Sequence, residues 1–143
     1  MGKGSGADIH YYWKKLPIII ETIAPPVQNQ WYPLLPATED IRLLYLVLRQ
    51  TNDEVAAKNL EVRATWDGII YNCVPFAFPD NTFRYWRLSG AWDQLISDAV
   101  IRHGGHWTDA RGLLVSIDMR ITDPIGTNQT LRGYIQYEVH VQT

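Results

Sequence analysis

Side chains alternate along the final segment of the chain, TLRGYIQYEVHVQT (130–143). Leu131, Gly133, Ile135, Tyr137, Val139 and Val141 fall on one side, and Arg132, Tyr134, Gln136, Glu138 and His140 on the other. A period of two predicts a β-strand with one packed face and one wetter face. The same period recurs in RGLLVSIDMRIT (111–122), where Leu113, Val115, Ile117, Met119 and Ile121 share a side. It recurs again in LEVRATW (60–66), which runs into Asp67-Gly68 and then Ile69 onward. Asp-Gly accepts the positive φ values of a type I′ turn, so this stretch reads as a hairpin.

LPIIIETIA (16–24) predicts a strand ended by Pro25 and Pro26, and QWYPLLPA (30–37) a short extended piece with an edge or bulge at Pro33. IRLLYLVLRQ (41–50) is apolar on both faces, as a central covered strand or a buried helix would be. FRYWRLSG (83–90) alternates. AWDQLISDAVIRHGG (91–105) changes period: Trp92, Leu95, Ile96, Ala99 and Val100 line one helical face, so a short helix is expected over 91–102. The last two strands, with their short connection, are expected to pair as a hairpin. The count of strands argues for a mainly β protein: an antiparallel β-sandwich, jelly-roll-like, with at most that one helix. The expected organisation is an N-terminal arm over 1–15 and a single β-sandwich domain over 16–143, a size that buries a normal core without disulfides.

The function classes narrow by charge and residue type. Thirteen basic and fifteen acidic residues are scattered without a basic block, which argues against direct nucleic-acid binding. The longest apolar run, LLYLVL, is too short to span a membrane, and MGKGSGADIH carries no apolar signal segment, so a soluble cytoplasmic product is expected. Cys73 is the single cysteine and reads as an inert buried thiol. His103, His106 and Asp109 offer metal-ligand chemistry, but His-x-x-His in a glycine-rich loop lacks a scaffold, and solvated loop histidines are the simpler account. No serine lies in a nucleophile-elbow setting. Glu21, Glu61, Asp118 and Glu138 read as a solvated strand face, with a glycosidase pair left open because carboxylate separation is invisible in sequence. No cofactor and no enzymatic activity are expected.

The aromatics carry the positive signal. Six Trp and eight Tyr stand in 143 residues. Trp86 and Trp107 are candidates for stacking on a sugar, which makes a carbohydrate-binding module the alternative reading. Tyr11, Tyr12 and Trp13 adjoin the glycine-rich start MGKGSGAD, where rings bury little in their own domain and suit insertion into a neighbour. The strand containing Tyr134, Gln136, Glu138 and His140 is only moderately protected against pairing with another chain. These seven residues form the expected assembly interface of a homo-oligomer.

The succession WYPLL, IRLLYLVLRQTN, LEVRATWDG, then a loop, then GLLVSIDMRIT and TLRGYIQYEVHV resembles small β-sandwich proteins encoded among phage and viral structural genes, over roughly residues 30 to 143. The resemblance implies a virion component, such as a capsid, decoration or tail-associated protein. It implies assembly in the host cytoplasm with copies of itself and other virion proteins, and it implies no catalytic residues.

Overall fold

The computed structural model describes residues 10–72, 75–82, 84–87 and 111–142. The expected helix at 91–102, Trp107, the His103–His106–Asp109 set, Cys73 and the first nine residues lie outside them, as does the side chain of Trp86. Nine strands follow in order: β1 (Tyr11–Lys15), β2 (Ile19–Ile23), β3 (Tyr32–Thr51), β4 (Lys58–Trp66), β5 (Ile69–Asn72), β6 (Phe76–Phe78), β7 (Arg84–Arg87), β8 (Arg111–Ile121) and β9 (Thr130–Gln142). All join one antiparallel sheet whose main path is β1-β9-β3-β8-β4-β5, with β2 beside β9, β6 beside β4 and β7 beside β3. The described part is thus mainly β and antiparallel, and no helix occurs among the described residues.

The 20-residue β3 organises the sheet. The pieces expected separately at 30–37 and 41–50 are continuous. Pro33 sits where the pairing with β8 slips, between Pro33 and Leu35 and again between Leu35 and Thr38. A proline cannot donate to the ladder, and a bulge absorbs the missing bond. The first half of β3 pairs with β8. The second half pairs with β9 on one edge and with β7 on the other.

The expected β8–β9 hairpin does not form: both strands pair with β3, one on each edge. The connection after Ile121 is held away from a tight turn. Thr122 N–H donates to Asn59 O (3.0 Å), Asn59 N–H to Asp123 Oδ2 (2.7 Å), and Asp53 N–H to Thr127 O (2.9 Å). These bonds carry the chain across the β3–β4 connection before β9 begins. The β4–β5 hairpin forms as expected, with φ of 52° at Asp67 and 86° at Gly68. Asp67 Oδ1 also accepts the backbone N–H groups of Leu113 and Leu114 (2.7 and 2.8 Å), tying the turn to the start of β8.

The buried apolar side chains form one core. Leu60, Val62, Ala64 and Trp66 of β4, Val115, Ile117, Met119 and Ile121 of β8, Leu34, Leu35, Ile41, Leu43, Leu46 and Leu48 of β3, and Leu131, Ile135 and Tyr137 of β9 are all buried. Each buried aliphatic side chain of this kind contributes roughly 1.5–3 kcal/mol. β9 faces β8 across this core at Gly133: a Cβ there would lie 2.8 Å from both Leu34 Cδ2 and Met119 Sδ. Those atoms belong to well-packed side chains with little room to retreat. Gly133→Ala is therefore expected to destabilise the protein by about 1–3 kcal/mol, read as a lowered denaturation midpoint, although alanine outranks glycine in a strand by propensity.

The loop of residues 52–57 is fastened to that of 122–129. Both carboxylate oxygens of Glu54 accept Thr127 N–H (3.0 and 2.9 Å). Bonds from Thr127, side chain first and backbone second, hold the Glu54 carboxyl below its ordinary value of 4.5. A depressed carboxyl pKa favours the folded loop at pH above the ordinary value, and that contribution is lost as pH falls through the lowered one. The Thr127 amide resonance is expected to titrate with a midpoint below 4.5, and Glu54→Gln to abolish that titration.

Candidate functional site

Residues 10–15 are not a free arm. β1 pairs with β9 of its own chain, Tyr11 opposite Gln142 and Lys15 opposite Glu138. β2 continues along the same edge, Ile19 opposite Ile135 and Ile23 opposite Leu131. The closing strand is therefore flanked on both sides, by β3 and by β1–β2. This corrects the expectation of an open C-terminal edge and moves the start of the folded unit ahead of residue 16. The alternation of 130–143 identified its packed face. It carried no information on which strands would lie beside it.

Several of the expected interface residues meet on the outer face of β1, β9 and β3. The imidazole of His140 stacks on Tyr11 (ring centroids 5.1 Å apart) and lies 4.8 Å from Trp13. Arg42 of β3 places its guanidinium 4.6 Å from the Trp13 ring centroid and grips Glu138 Oε1 through Nε (2.9 Å) and Nη2 (2.6 Å). His140 Nδ1 stands 3.2 Å from Asp40 Oδ2. A cation held over an indole and beside a carboxylate is stabilised twice, so Arg42 fastens β1 to the rest of the sheet. Gln136 Nε2 reaches Leu16 O (3.5 Å), and Tyr134 Oη accepts from Arg132 (3.3 Å). Tyr12, opposite Val141, projects from the other face. Arg42 and Asp40 lay outside the sequence expectation. Only the cross-strand register brings Arg42 to Glu138.

The other carboxylates are also engaged. Glu61 bonds Arg120 Nε (2.6 Å) and is itself a buried residue; Asp118 accepts Arg63 Nη2 (2.9 Å). Trp31 covers both guanidiniums, 4.4 Å from Arg63 and 4.3 Å from Arg120. The expected solvated face at Glu61, Asp118 and Glu138 is instead a set of cross-strand ion pairs, because each carboxylate falls directly opposite an arginine in the register. Only Glu21, at the β2 edge, is exposed among the four. The described indoles are committed as well: Trp66 is buried, and Trp13 and Trp31 carry arginine guanidiniums. Among the described residues no three His, Cys, Asp or Glu side chains gather to hold a metal. An open hollow of about 520 Å³, lined by Ala24, Pro25, Ile125, Asn128, Gln129 and neighbours, holds no titratable side chain.

Exposed apolar side chains concentrate at the two ends of the sheet path. Tyr11 (60% exposed), Tyr12, Ile18 and Ile20 (56%) mark the β1–β2 end. Ile69 and Ile70 of β5, with Leu113 and Leu114, mark the other. Edge strands normally carry charge or proline against such exposure, and apolar patches on a surface mark contact sites.

The chain matches no protein-family model and no curated protein.

Proposed function

We propose that this chain is a self-assembling structural subunit, a virion component built on a jelly-roll-like β-sandwich. The observation that supports the reading is the apolar, aromatic-rich edge formed by β1 and β2, with Tyr11, Tyr12, Ile18 and Ile20 exposed along backbone that bonds no further strand among the described residues. The contacting element is this leading edge rather than the C-terminal strand, which already has neighbours on both sides. An edge of this kind is completed at low cost by a strand of another copy, which satisfies its backbone groups and covers its side chains together. The facing of β9 and β8 across one core favours a two-layered, sandwich-like closure. The sequence resemblance to phage and viral structural proteins supplies the virion setting, with sister copies and other virion proteins as partners.

Light scattering on the purified full chain, together with negative-stain images, tests this. The expected result is a mass of several chains and closed or filamentous particles. A strict monomer at the highest soluble concentration overturns the proposal.

A further inference from the structure

β1 and β2 form one interrupted edge that runs antiparallel to β9. Its backbone polarity follows from one bond. Leu16 N–H donates to Tyr137 O (3.1 Å), so the even-numbered residues of β1 bond inward and Tyr11, Trp13 and Lys15 point their N–H and C=O groups outward. The odd-numbered residues of β9 thus face this edge. Ile19, Glu21 and Ile23, opposite Ile135, Gly133 and Leu131, bond inward, which leaves Ile20 and Thr22 pointing outward. The faces follow in the same way. Trp13 lies with His140 on the outer face, so Tyr12, Lys14 and Leu16 are on the core side. Ile19, Glu21 and Ile23 are on the core side too, with Leu16, Ile19 and Ile23 packed against the core.

We infer that two copies join through this edge about a two-fold axis passing between Pro17 and Ile18, in the register that sets Lys14 of each copy opposite Glu21 of the other. The inference rests on the self-assembly reading above and specifies its contact. In this register Leu16 meets Ile19 and Tyr12 meets Ile23 on the core side, while Trp13 meets Thr22 and Lys15 meets Ile20 on the outer side. Lys15 with Ile20 is a pair of outward-pointing residues, so it makes the new backbone bonds, once on each side of the axis. Lys14 with Glu21 is a non-hydrogen-bonded pair, whose side chains approach most closely. Every pair agrees in face and in bonding direction. Sliding the copies by two residues keeps both agreements but loses the ion pairs: Lys14 then meets Ile19 or Ile23, and in the second case Glu21 faces Leu16. Charge therefore selects one register. Lys14, Lys15 and Pro17 blunt this edge against arbitrary strands. A second copy, reversed, brings a carboxylate to each Lys14 and places the residue without a donor beside the axis, which is a specificity device as well as a contact.

Charge reversal tests the register in the full-length protein, with dimer dissociation followed by sedimentation. Lys14→Glu sets two like-charged pairs in each dimer and is expected to weaken association by roughly tenfold, as is Glu21→Lys. The double variant Lys14→Glu/Glu21→Lys is expected to return near the original affinity. Both substituted positions are exposed, so folding is preserved, and circular dichroism checks it. In a Cys73→Ser background, Lys14→Cys/Glu21→Cys is expected to oxidise to a covalent dimer, since non-hydrogen-bonded antiparallel pairs hold Cα atoms at disulfide distance. Lys14→Cys/Ile19→Cys is expected to cross-link far less. If the wild-type chain associates but the double reversal fails to restore affinity, or both cysteine pairs cross-link alike, the register is wrong while the self-assembly reading stands. A wild-type monomer overturns both.

Discussion

Trp66→Ala is expected to remove about 4 kcal/mol of stability, within the 3–5 kcal/mol range for truncating a buried aromatic side chain. Trp66 ends β4 at 2% exposure, opposite Val115 on β8 and Ile69 on β5. Its indole fills space that β8 yields by carrying glycine: a Cβ on Gly112 would lie 2.9 Å from Trp66 Nε1 and would overlap the Val115 side chain. Alanine at 66 leaves a void bounded by strands that are already bonded to each other, so the walls cannot close on it. Typical domains are stable by only 5–15 kcal/mol, so the loss approaches the whole of a modest stability. Urea denaturation followed by circular dichroism measures it. A loss under about 1.5 kcal/mol would mean that the site collapses and that the indole is not a wedge between β4 and β8.

Gln50→Glu is expected to cost about 3 kcal/mol at neutral pH, though it changes one amide into a carboxylate of the same shape. Gln50 is fully buried and sits at the centre of a polar knot. Its Nε2 donates to Ala56 O (3.0 Å) and Phe78 O (2.9 Å). Its Oε1 accepts from Asn52 Nδ2 (2.9 Å) and Gln129 Nε2 (2.8 Å). Asn52 in turn bonds both backbone groups of Ala56, and Gln129 reaches Thr51 O and Thr130 O. The knot joins the end of β3, the loop after it, β6 and the start of β9. A carboxylate at 50 would turn two donated bonds into contacts between acceptors, in a place that also strips its hydration. The sign with pH is definite. Burial favours the protonated form, so the folded variant binds its proton more tightly than the unfolded chain does. Its stability is therefore highest in acid and falls as pH rises towards neutrality. A variant equally stable at pH 4 and pH 7, relative to wild type, would show that the knot opens to water.

Sequence periodicity made much of this molecule legible. The alternations of 111–122 and 130–143 correspond to β8 and β9, the Asp67-Gly68 pair is a hairpin turn, and Pro33 marks a bulge. These are local properties, since a side chain's type and the residue two positions away decide which face is packed. The segment around and after Thr51 is polar in sequence, yet Gln50 and Asn52 are buried there with Gln129. No pattern announces such a cluster, because its members come from separated parts of the chain. The same holds for the ion pairs Arg42–Glu138, Arg63–Asp118 and Glu61–Arg120. Each carboxylate alternated with apolar residues as a wet face would, and each is covered because a register across strands sets an arginine beside it.

The residues of the candidate edge were partly visible in the same way. Tyr11, Tyr12 and Trp13 stood out by composition, and Tyr11 and Tyr12 are exposed along a sheet edge, but the attachment of this segment to β9 was not foreseen. Ile18, Ile20 and Glu21 were read only as part of a strand, and the relation of Lys14 to Glu21 emerged once β1 and β2 were seen to share one edge.

What the amino-acid order determined alone was the mainly β character, the places of most strands, the faces they bury and the tightest turn. What only the tertiary structure decided was adjacency: β3 between β8 and β9, and β1–β2 rather than solvent beside the closing strand. Backbone hydrogen bonds are the same for every residue except proline, so a strand's own side chains specify its face far more strongly than its neighbour. The neighbour is chosen by closing the whole core at once, around Gly133, Met119 and Leu34, and by the polar knot at Gln50 that holds the connections in place.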